Sequence, residues 1–228
     1  MSTEAVAINP LGTERVGKLM VRYAVPSIIS IVVNSLYNMV DQIFIGQGVG
    51  YLGNAATNII LPLATILLAL GMMIGDGAAS YMSLSLGKKR AEDAAQGVGN
   101  AVTLTVGISV FLLVIFELFL EPLCHLFGAT EGNLPYELEY GSVILLGFPF
   151  AMIDGAFGSV IRADGRPKVS MVGLLIGCIA NIILDPIFIF VFHWGVKGAA
   201  WATIIGQILN AVYFVVCMLR FKTIEVRK

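Results

Sequence analysis

The sequence has few charged residues, and this scarcity excludes most soluble fold classes. Asp, Glu, Lys and Arg make up 13% of its 228 residues, whereas soluble domains carry roughly a quarter. Hydrophobic residues make up 57% of the chain, and its mean hydropathy is +0.88. This composition is typical of a polytopic membrane protein.

Cysteine and histidine are also scarce, which removes further classes of site. The three cysteines have neither disulfide nor zinc-site spacing, and there are two histidines. There is no glycine-rich phosphate loop, nucleophilic triad or zinc motif, and no loop long enough for a soluble catalytic domain. The first apolar run is too long for a cleavable signal peptide, so we expect it to insert uncleaved. The sequence predicts no enzyme, no cofactor and no nucleic-acid partner.

What the sequence does contain is six long apolar runs, each able to cross the hydrocarbon core of a bilayer. We predict an all-α polytopic membrane protein with a six-helix transmembrane bundle over residues 16–220. Residues 1–15 are expected to form a leader, and residues 221–228 a tail or a linker to a second lobe. The predicted spans cover about residues 23–45, 56–84, 97–119, 141–161, 169–192 and 199–219.

The basic residues indicate how the bundle is oriented. Thirteen of the fourteen Lys and Arg residues lie on the N-terminal side, in alternate loops or in the tail, and Lys197 is the exception. Lys and Arg accumulate in cytoplasmic loops. We therefore predict a multi-pass protein with both termini in the cytoplasm.

Asp41 is the least expected residue of the first span. A charged side chain within a bilayer costs several kcal/mol, so such residues usually face a protein interior or a water-filled path. Ser27, Ser30, Asn34 and Asn38 recur with Asp41 at helical spacing, which predicts one polar stripe on an apolar helix. A carboxyl group that only makes a packing contact with a neighbouring helix is the alternative.

Three further polar residues share the predicted depth of Asp41. At about 1.5 Å per residue from the basic flanks, Asp41 lies roughly 28 Å along its helix, and Asp185 and Thr203 about 25 Å. Asn181 lies one turn below Asp185. If the four side chains converge, the two carboxyl groups would either share a proton or join the amide and the hydroxyl in an oxygen cage for Na⁺. H⁺ and Na⁺ both remain open as the coupling ion.

Other polar residues are predicted to line a substrate cavity, since aromatic and amide groups suit an amphipathic organic solute. Asp154 lies on a stripe of small residues in the fourth span, where a packing role is equally consistent. Pro26 marks either a bend in the first span or its first turn. The cavity candidates are Asn34, Tyr37, Asn38, Asp154 and Gln207.

Several segments resemble landmarks of the multidrug and toxic compound extrusion (MATE) family. They are residues 23–26, 34–46, 86–89, 161–167 and 181–186, and the similarity extends over nearly the whole chain. The resemblance implies a plasma-membrane antiporter that exports cationic or amphipathic organic compounds in exchange for H⁺ or Na⁺ by alternating access. It also implies that the positions of Asp41, Asn181, Asp185 and Thr203 form the cation or proton site of an N-terminal lobe, and that the first helix bends at Pro26.

The number of spans departs from that family. Its members have twelve spans in two six-helix lobes, with the substrate cavity between the lobes. We therefore expect this chain to act as an N-terminal lobe, paired with a second lobe in the same chain or with a second copy. A flippase for lipid-linked precursors is one alternative, although it would favour a cationic groove. A non-transporting scaffold or half-transporter subunit is another, because the chain is half-length.

Overall fold

The computed structural model of the protein describes residues 15–219. Within them it contains helices and no strand, and six of the helices are long and apolar enough to cross a membrane. The predicted six-span bundle of a multi-pass membrane protein is thus confirmed, while the leader (apart from Arg15) and the tail lie outside the described residues. The helices are α1 (Val16–Gly48), α2 (Tyr51–Gly87), α3 (Ala91–Leu118), α4 (Leu120–Leu126), α5 (Leu134–Ala163), α6 (Pro167–Pro186) and α7 (Gly195–Leu219).

The helices begin and end at signals that are local in the sequence. Gly50 joins α1 to α2 with φ of +86°, and Gly195 begins α7 with φ of +55°. Such backbone angles favour glycine, because a Cβ atom clashes there with the backbone. Pro167 begins α6, where its missing N–H leaves no hydrogen bond unmade. These signals let long apolar helices reverse direction within two or three residues.

The centre of the bundle is the contact between α2 and α5. Gly71 and Gly75 of α2 lie directly against the backbone of Met152 and Ala156 of α5. Small residues of this kind let two helices approach closely, which is how helices associate in a bilayer that offers no hydrophobic driving force. Around this seam the apolar core is filled by residues such as Ile60, Leu63, Leu67, Leu145 and Phe148.

The close crossing of α6 and α7 also depends on small residues. A Cβ atom at Gly206 would lie 2.7 Å from the carbonyl oxygen of Gly177, and one at Gly177 would lie 3.0 Å from that of Gly206. This close crossing brings Asn181, one turn beyond Gly177, next to Thr203, as described below. The small residues that let α6 and α7 pack closely therefore also bring the polar side chains of Asn181 and Thr203 together.

The regular geometry of α6 ends directly after Asp185. Pro186 is the last residue of the α-helix, and Ile187–Val191 continue as a π-helical turn. Proline has no N–H to donate to the preceding turn, so it weakens the helix at that point, and short π-helical turns frequently occur at functional sites. The irregular segment thus adjoins a buried acid.

Candidate functional site

A cavity of about 610 Å³ lies between α1, α2, α5, α6 and α7. We call its end beside Tyr37, Asn181 and Thr203 the acid end, because two acids lie behind these residues. We call the opposite end, beside Arg162 and Ser170, the arginine end. Four of the five predicted cavity residues belong to its lining: Asn34, Tyr37, Asp154 and Gln207.

The acid end brings together the two buried acids of the spans one and five. Asp41 of α1 is 8% exposed and Asp185 of α6 is fully buried. Their carboxyl groups are close enough to interact with each other. Two carboxyl groups at close range in a medium of low dielectric constant cannot both stay ionised at small cost, so the pair can hold one proton in common.

The Asn181 amide joins Asp185 to α7. With its nitrogen toward Asp185, it donates to Oδ2 at 2.7 Å, and its oxygen then accepts from the hydroxyl and the backbone N–H of Thr203, both at 3.1 Å. This orientation satisfies all three groups, which is how the amide is assigned. The four residues that share one depth in the sequence thus also converge laterally.

Two residues of the acid end were not singled out from the sequence. Gln42 hydrogen-bonds the Asp41 carboxyl group and also lies 3.2 Å from the Thr57 hydroxyl, so it links the acid pair to α2. Tyr140 of α5 is buried near the two acids. Gln42 directly follows Asp41 in the sequence, and this position could have marked it as a candidate partner of the Asp41 carboxyl group. Nothing in the sequence connects Tyr140 with span one or five.

A polar wall separates the acid pair from the cavity. Asn181, Thr203 and Tyr37 line the cavity, and Tyr37 hydrogen-bonds the Thr203 hydroxyl. The two acids are not part of the lining. A molecule in the cavity would therefore meet the amide, hydroxyl and phenol groups first, and its effect on the acids would pass through them.

The structure places Asn38 apart from the other four predicted cavity residues. Its side chain is exposed, lies outside the cavity lining, and donates to the backbone oxygen of Asn34 at 2.7 Å. This bond within one helical turn satisfies the amide without any partner from another helix. Pro26 is buried and lines the cavity, and α1 continues as one helix through it.

The donors at the acid end are all oxygen or amide groups. Within residues 15–219, no group of three His, Cys, Asp or Glu side chains is placed to hold a metal ion. The donor set that could hold Na⁺ consists of Asp41, Asn181, Asp185 and Thr203. Carboxylate, amide and hydroxyl oxygens are the ligands that hard cations prefer.

The sequence and the fold of this chain are both similar to those of one family of known proteins. The family model MatE matches residues 26–187. The multidrug export protein MepA of Staphylococcus saprophyticus is 32% identical over an alignment of 209 residues, and the match covers 89% of this chain and 45% of that protein.

Two solved structures of a multidrug resistance MATE family transporter of the MOP superfamily are also similar. The outward-facing one has a TM-score of 0.88 at 25% identity and covers 98% of this chain and 50% of its own. The inward-facing one has a TM-score of 0.80 at 24% identity, with 92% and 48% covered. The chain thus spans about half the length of the relatives that it matches.

Proposed function

The chain belongs to the MatE family, and from this premise we propose that it is one six-helix lobe of a multidrug efflux antiporter. Residues 16–220 form the lobe, which lies in the plasma membrane with both of its ends on the cytoplasmic side. The protein moves cationic or amphipathic organic compounds by alternating access and is a secondary transporter rather than an enzyme. The matched MepA is described as a multidrug export protein, which supports this proposal.

The observation that carries the proposal is the close approach of Asp41 and Asp185. One acid is on α1 and the other is on α6, so a shared proton joins two helices. When the proton leaves, two negative charges at close range repel each other in a medium of low dielectric constant. A change of one charge therefore favours a different spacing of the two helices, and this couples ion binding to conformation.

Na⁺ is the alternative coupling ion at the same four residues. Its binding would require the Asn181 oxygen to turn from Thr203 toward the ion. The close approach of the two carboxyl groups supports a proton in this state, because a proton allows a direct hydrogen bond between them. We propose that H⁺ occupies this state, and that any Na⁺ binds in a different one.

The cavity beside the acid end is the proposed substrate site. Its lining combines apolar groups with the polar side chains of Asn34, Tyr37, Asp154 and Gln207. A mostly apolar pocket with a few placed polar groups suits an amphipathic ligand. Pro26 borders the same cavity, and we propose that α1 bends there when the cavity opens or closes.

A second six-helix lobe completes the transporter in this proposal, either in the same chain or as a second copy. Relatives known in outward- and inward-facing conformations have about twice the length covered by this chain. With a second lobe on the open side of α1 and α2, the cavity would lie between the two lobes. This arrangement would allow access to alternate between the two sides of the membrane.

Transport in vesicles tests the proposal. The chain is reconstituted in lipid vesicles with an imposed pH or Na⁺ gradient, and uptake of the fluorescent cation rhodamine 6G is followed. We expect Asp41→Asn and Asp185→Asn each to reduce gradient-driven uptake by at least about tenfold, because an amide cannot take part in the charge change. Insertion into the vesicles should be unchanged.

Asn38→Ala is the matched control on α1, since this side chain is polar and exposed and lies three residues from Asp41. Its uptake should equal that of the unmodified chain. Undiminished uptake by both acid variants would contradict the proposed ion site. If the unmodified chain moves no dye under either gradient, a second copy of this chain does not complete the transporter.

A further inference from the structure

A second cavity, of about 730 Å³, lies at the end of the bundle beyond the two acids. It lies between residues 51–59 at the start of α2 and residues 128–133 of the segment that joins α4 to α5, and we call it the loop pocket. It shares no lining residue with the cavity described above. Its volume is in the range of small-molecule sites, about 300–1,000 Å³. The proposed transport function leaves the loop pocket without a role.

The lining of the loop pocket carries no charged side chain. Among the described residues that line it, none is Asp, Glu, Lys, Arg or His. Glu131 lies between two lining residues in the sequence but is not part of the lining. A charged ligand would lose hydration here without meeting an opposite charge, which is costly. The pocket is therefore suited to a neutral ligand.

Hydrogen-bonding groups on both walls of the pocket remain available to such a ligand. On the loop wall, Oδ1 of Asn133 accepts from the backbone N–H of Thr130 at 2.6 Å and from its hydroxyl at 2.7 Å. This leaves the N–H donors of the Asn133 amide. On the α2 wall, Nδ2 of Asn58 donates to the backbone oxygen of Asn54 at 2.7 Å, which leaves Oδ1 as an acceptor. A hydroxyl group both donates and accepts, so a ligand rich in hydroxyls can bond to both walls.

An aromatic ring and aliphatic side chains complete the lining. Tyr51, the first residue of α2, is 84% exposed, and Leu52 and Ile59 of the same helix also line the pocket. A pyranose ring has hydroxyl groups at its edge and C–H groups on its faces. The faces pack against aromatic and aliphatic groups, while the hydroxyls bond to amides. Amides, a tyrosine and the lack of charge thus match the chemistry of an uncharged sugar.

We propose that the loop pocket binds an uncharged hexosyl group, and that this group is the headgroup of a neutral glycolipid. The surface of α2 next to the pocket favours the lipid source. Leu61, one turn from Asn58, is 56% exposed, and Ile66, two turns from Ile59, is 45% exposed. The acyl chains of a bound lipid would lie against these side chains. A free oligosaccharide offers the same hexosyl chemistry, and the test separates the two sources.

Native mass spectrometry of the purified chain measures this binding directly. The chain is kept in an oligo-oxyethylene detergent, which has no sugar headgroup to compete. Diglucosyl-diacylglycerol is compared with diacylglycerol and with phosphatidylglycerol of the same acyl chains, and maltose is titrated as the free sugar. We expect one diglucosyl-diacylglycerol to bind at least about tenfold more tightly than either control lipid. The anionic lipid gains no advantage, because the lining has no cation.

Two changes on α2 locate the site. Asn58→Leu removes the available amide acceptor and should weaken binding of the glycolipid by about tenfold. Thr65→Leu is the matched control, two turns farther along the same face of α2. Like Asn58, Thr65 is exposed and donates to the backbone oxygen four residues earlier, that of Leu61 at 2.8 Å, but it lies outside the lining. Its glycolipid affinity should equal that of the unmodified chain.

The source of the sugar follows from the maltose titration. Binding of maltose would assign the pocket to free sugars as well, whereas binding of the glycolipid alone would assign it to a lipid headgroup. The proposal is overturned if the glycolipid binds no better than diacylglycerol and maltose does not bind, or if Asn58→Leu and Thr65→Leu have equal effects. The first comparison uses the unmodified chain, so it holds even if Asn58→Leu does not fold. Neither comparison depends on transport.

Discussion

Helices α1 and α5 are both long membrane spans, yet they are packed in opposite ways. Of the 33 residues of α1, three are buried: Pro26, Asp41 and Ile45. Of the 30 residues of α5, fourteen are buried, and they include Leu145, fully buried in the main apolar core. α1 packs mainly against α6, whereas α5 packs against α2, α3, α6 and α7.

The difference shows that stability and the ion site depend on different helices. α5 fills the centre of the bundle, and about half of its residues are buried. α1 covers one edge and leaves most of its apolar surface to lipid or to a partner, but it supplies half of the carboxyl pair. A helix that contributes little to the core can change its position at small cost, which suits the element proposed to respond to the ion.

The largest loss of stability is expected from a change at the contact between α2 and α5. A Cβ atom at Gly75 would lie 2.6 Å from backbone atoms of Ala156, so Gly75→Leu must force the two helices apart. We expect the melting temperature in detergent to fall by more than about 10 °C, or no folded chain to be recovered.

Gly77→Leu is the matched control, because nothing lies within 4 Å of a Cβ atom at that position. It should fold normally and melt at or slightly above the temperature of the unmodified chain, since leucine is the better helix former. Equal destabilisation by the two changes would show that close approach of α2 and α5 does not hold the bundle together.

The same substitution made on the two helices measures the difference directly. Leu145 of α5 is fully buried, and Leu36 of α1 is 55% exposed. Leu145→Ala leaves a cavity in the core and should lower the free energy of unfolding by about 2–5 kcal/mol. Leu36→Ala should change it by less than about 0.5 kcal/mol. Reversible unfolding in mixed micelles reports both values, and a similar loss for both would refute the contrast.

A smaller effect is expected at the start of α5. Glu137 is fully buried, and neither carboxyl oxygen has a hydrogen-bond partner among the described residues. A buried polar group without a partner costs about 1–3 kcal/mol. Glu137→Met should therefore raise the melting temperature by about 2–4 °C.

Glu139→Met serves as its control, because Glu139 is partly exposed and lies 3.3 Å from Lys197. Such a surface ion pair contributes about 0–1 kcal/mol, so no gain is expected there. A loss of stability in Glu137→Met would show that the buried carboxyl group has a stabilising role.

The number and type of the long elements were predictable from composition and from the positions of the charges. Each apolar run became one helix, and the helices extend up to seven residues beyond the predicted spans. α1, for example, begins at Val16 rather than near residue 23. Hydropathy reports the segment within the hydrocarbon core, whereas backbone hydrogen bonding continues into the polar flanks. The short helix α4 lies between two predicted spans and was missed, and hydropathy does not distinguish the π-helical turn after Pro186 from an α-helix.

The sequence predicted how far along its helix each site residue lies, but not the direction in which its side chain points. Asp41, Asn181, Asp185 and Thr203 share a level because each lies a known distance along a straight helix. Asn38 belongs to the same stripe but faces outward, since its amide bonds to Asn34 within α1. Tyr140 lies near the acid pair on α5, which is far from both acids in sequence. Their roles in ion and substrate binding stay predictions.

By itself, the sequence determined that this protein spans a membrane six times, where each helix turns back, and at what depth its buried acids lie. Its resemblance to the MATE family is confirmed by the family match. The tertiary structure alone decided which face each helix turns inward, and so which polar groups meet. Rotation of a helix about its axis depends on contacts such as that between Gly177 and Gly206, and these contacts join residues that the linear order separates.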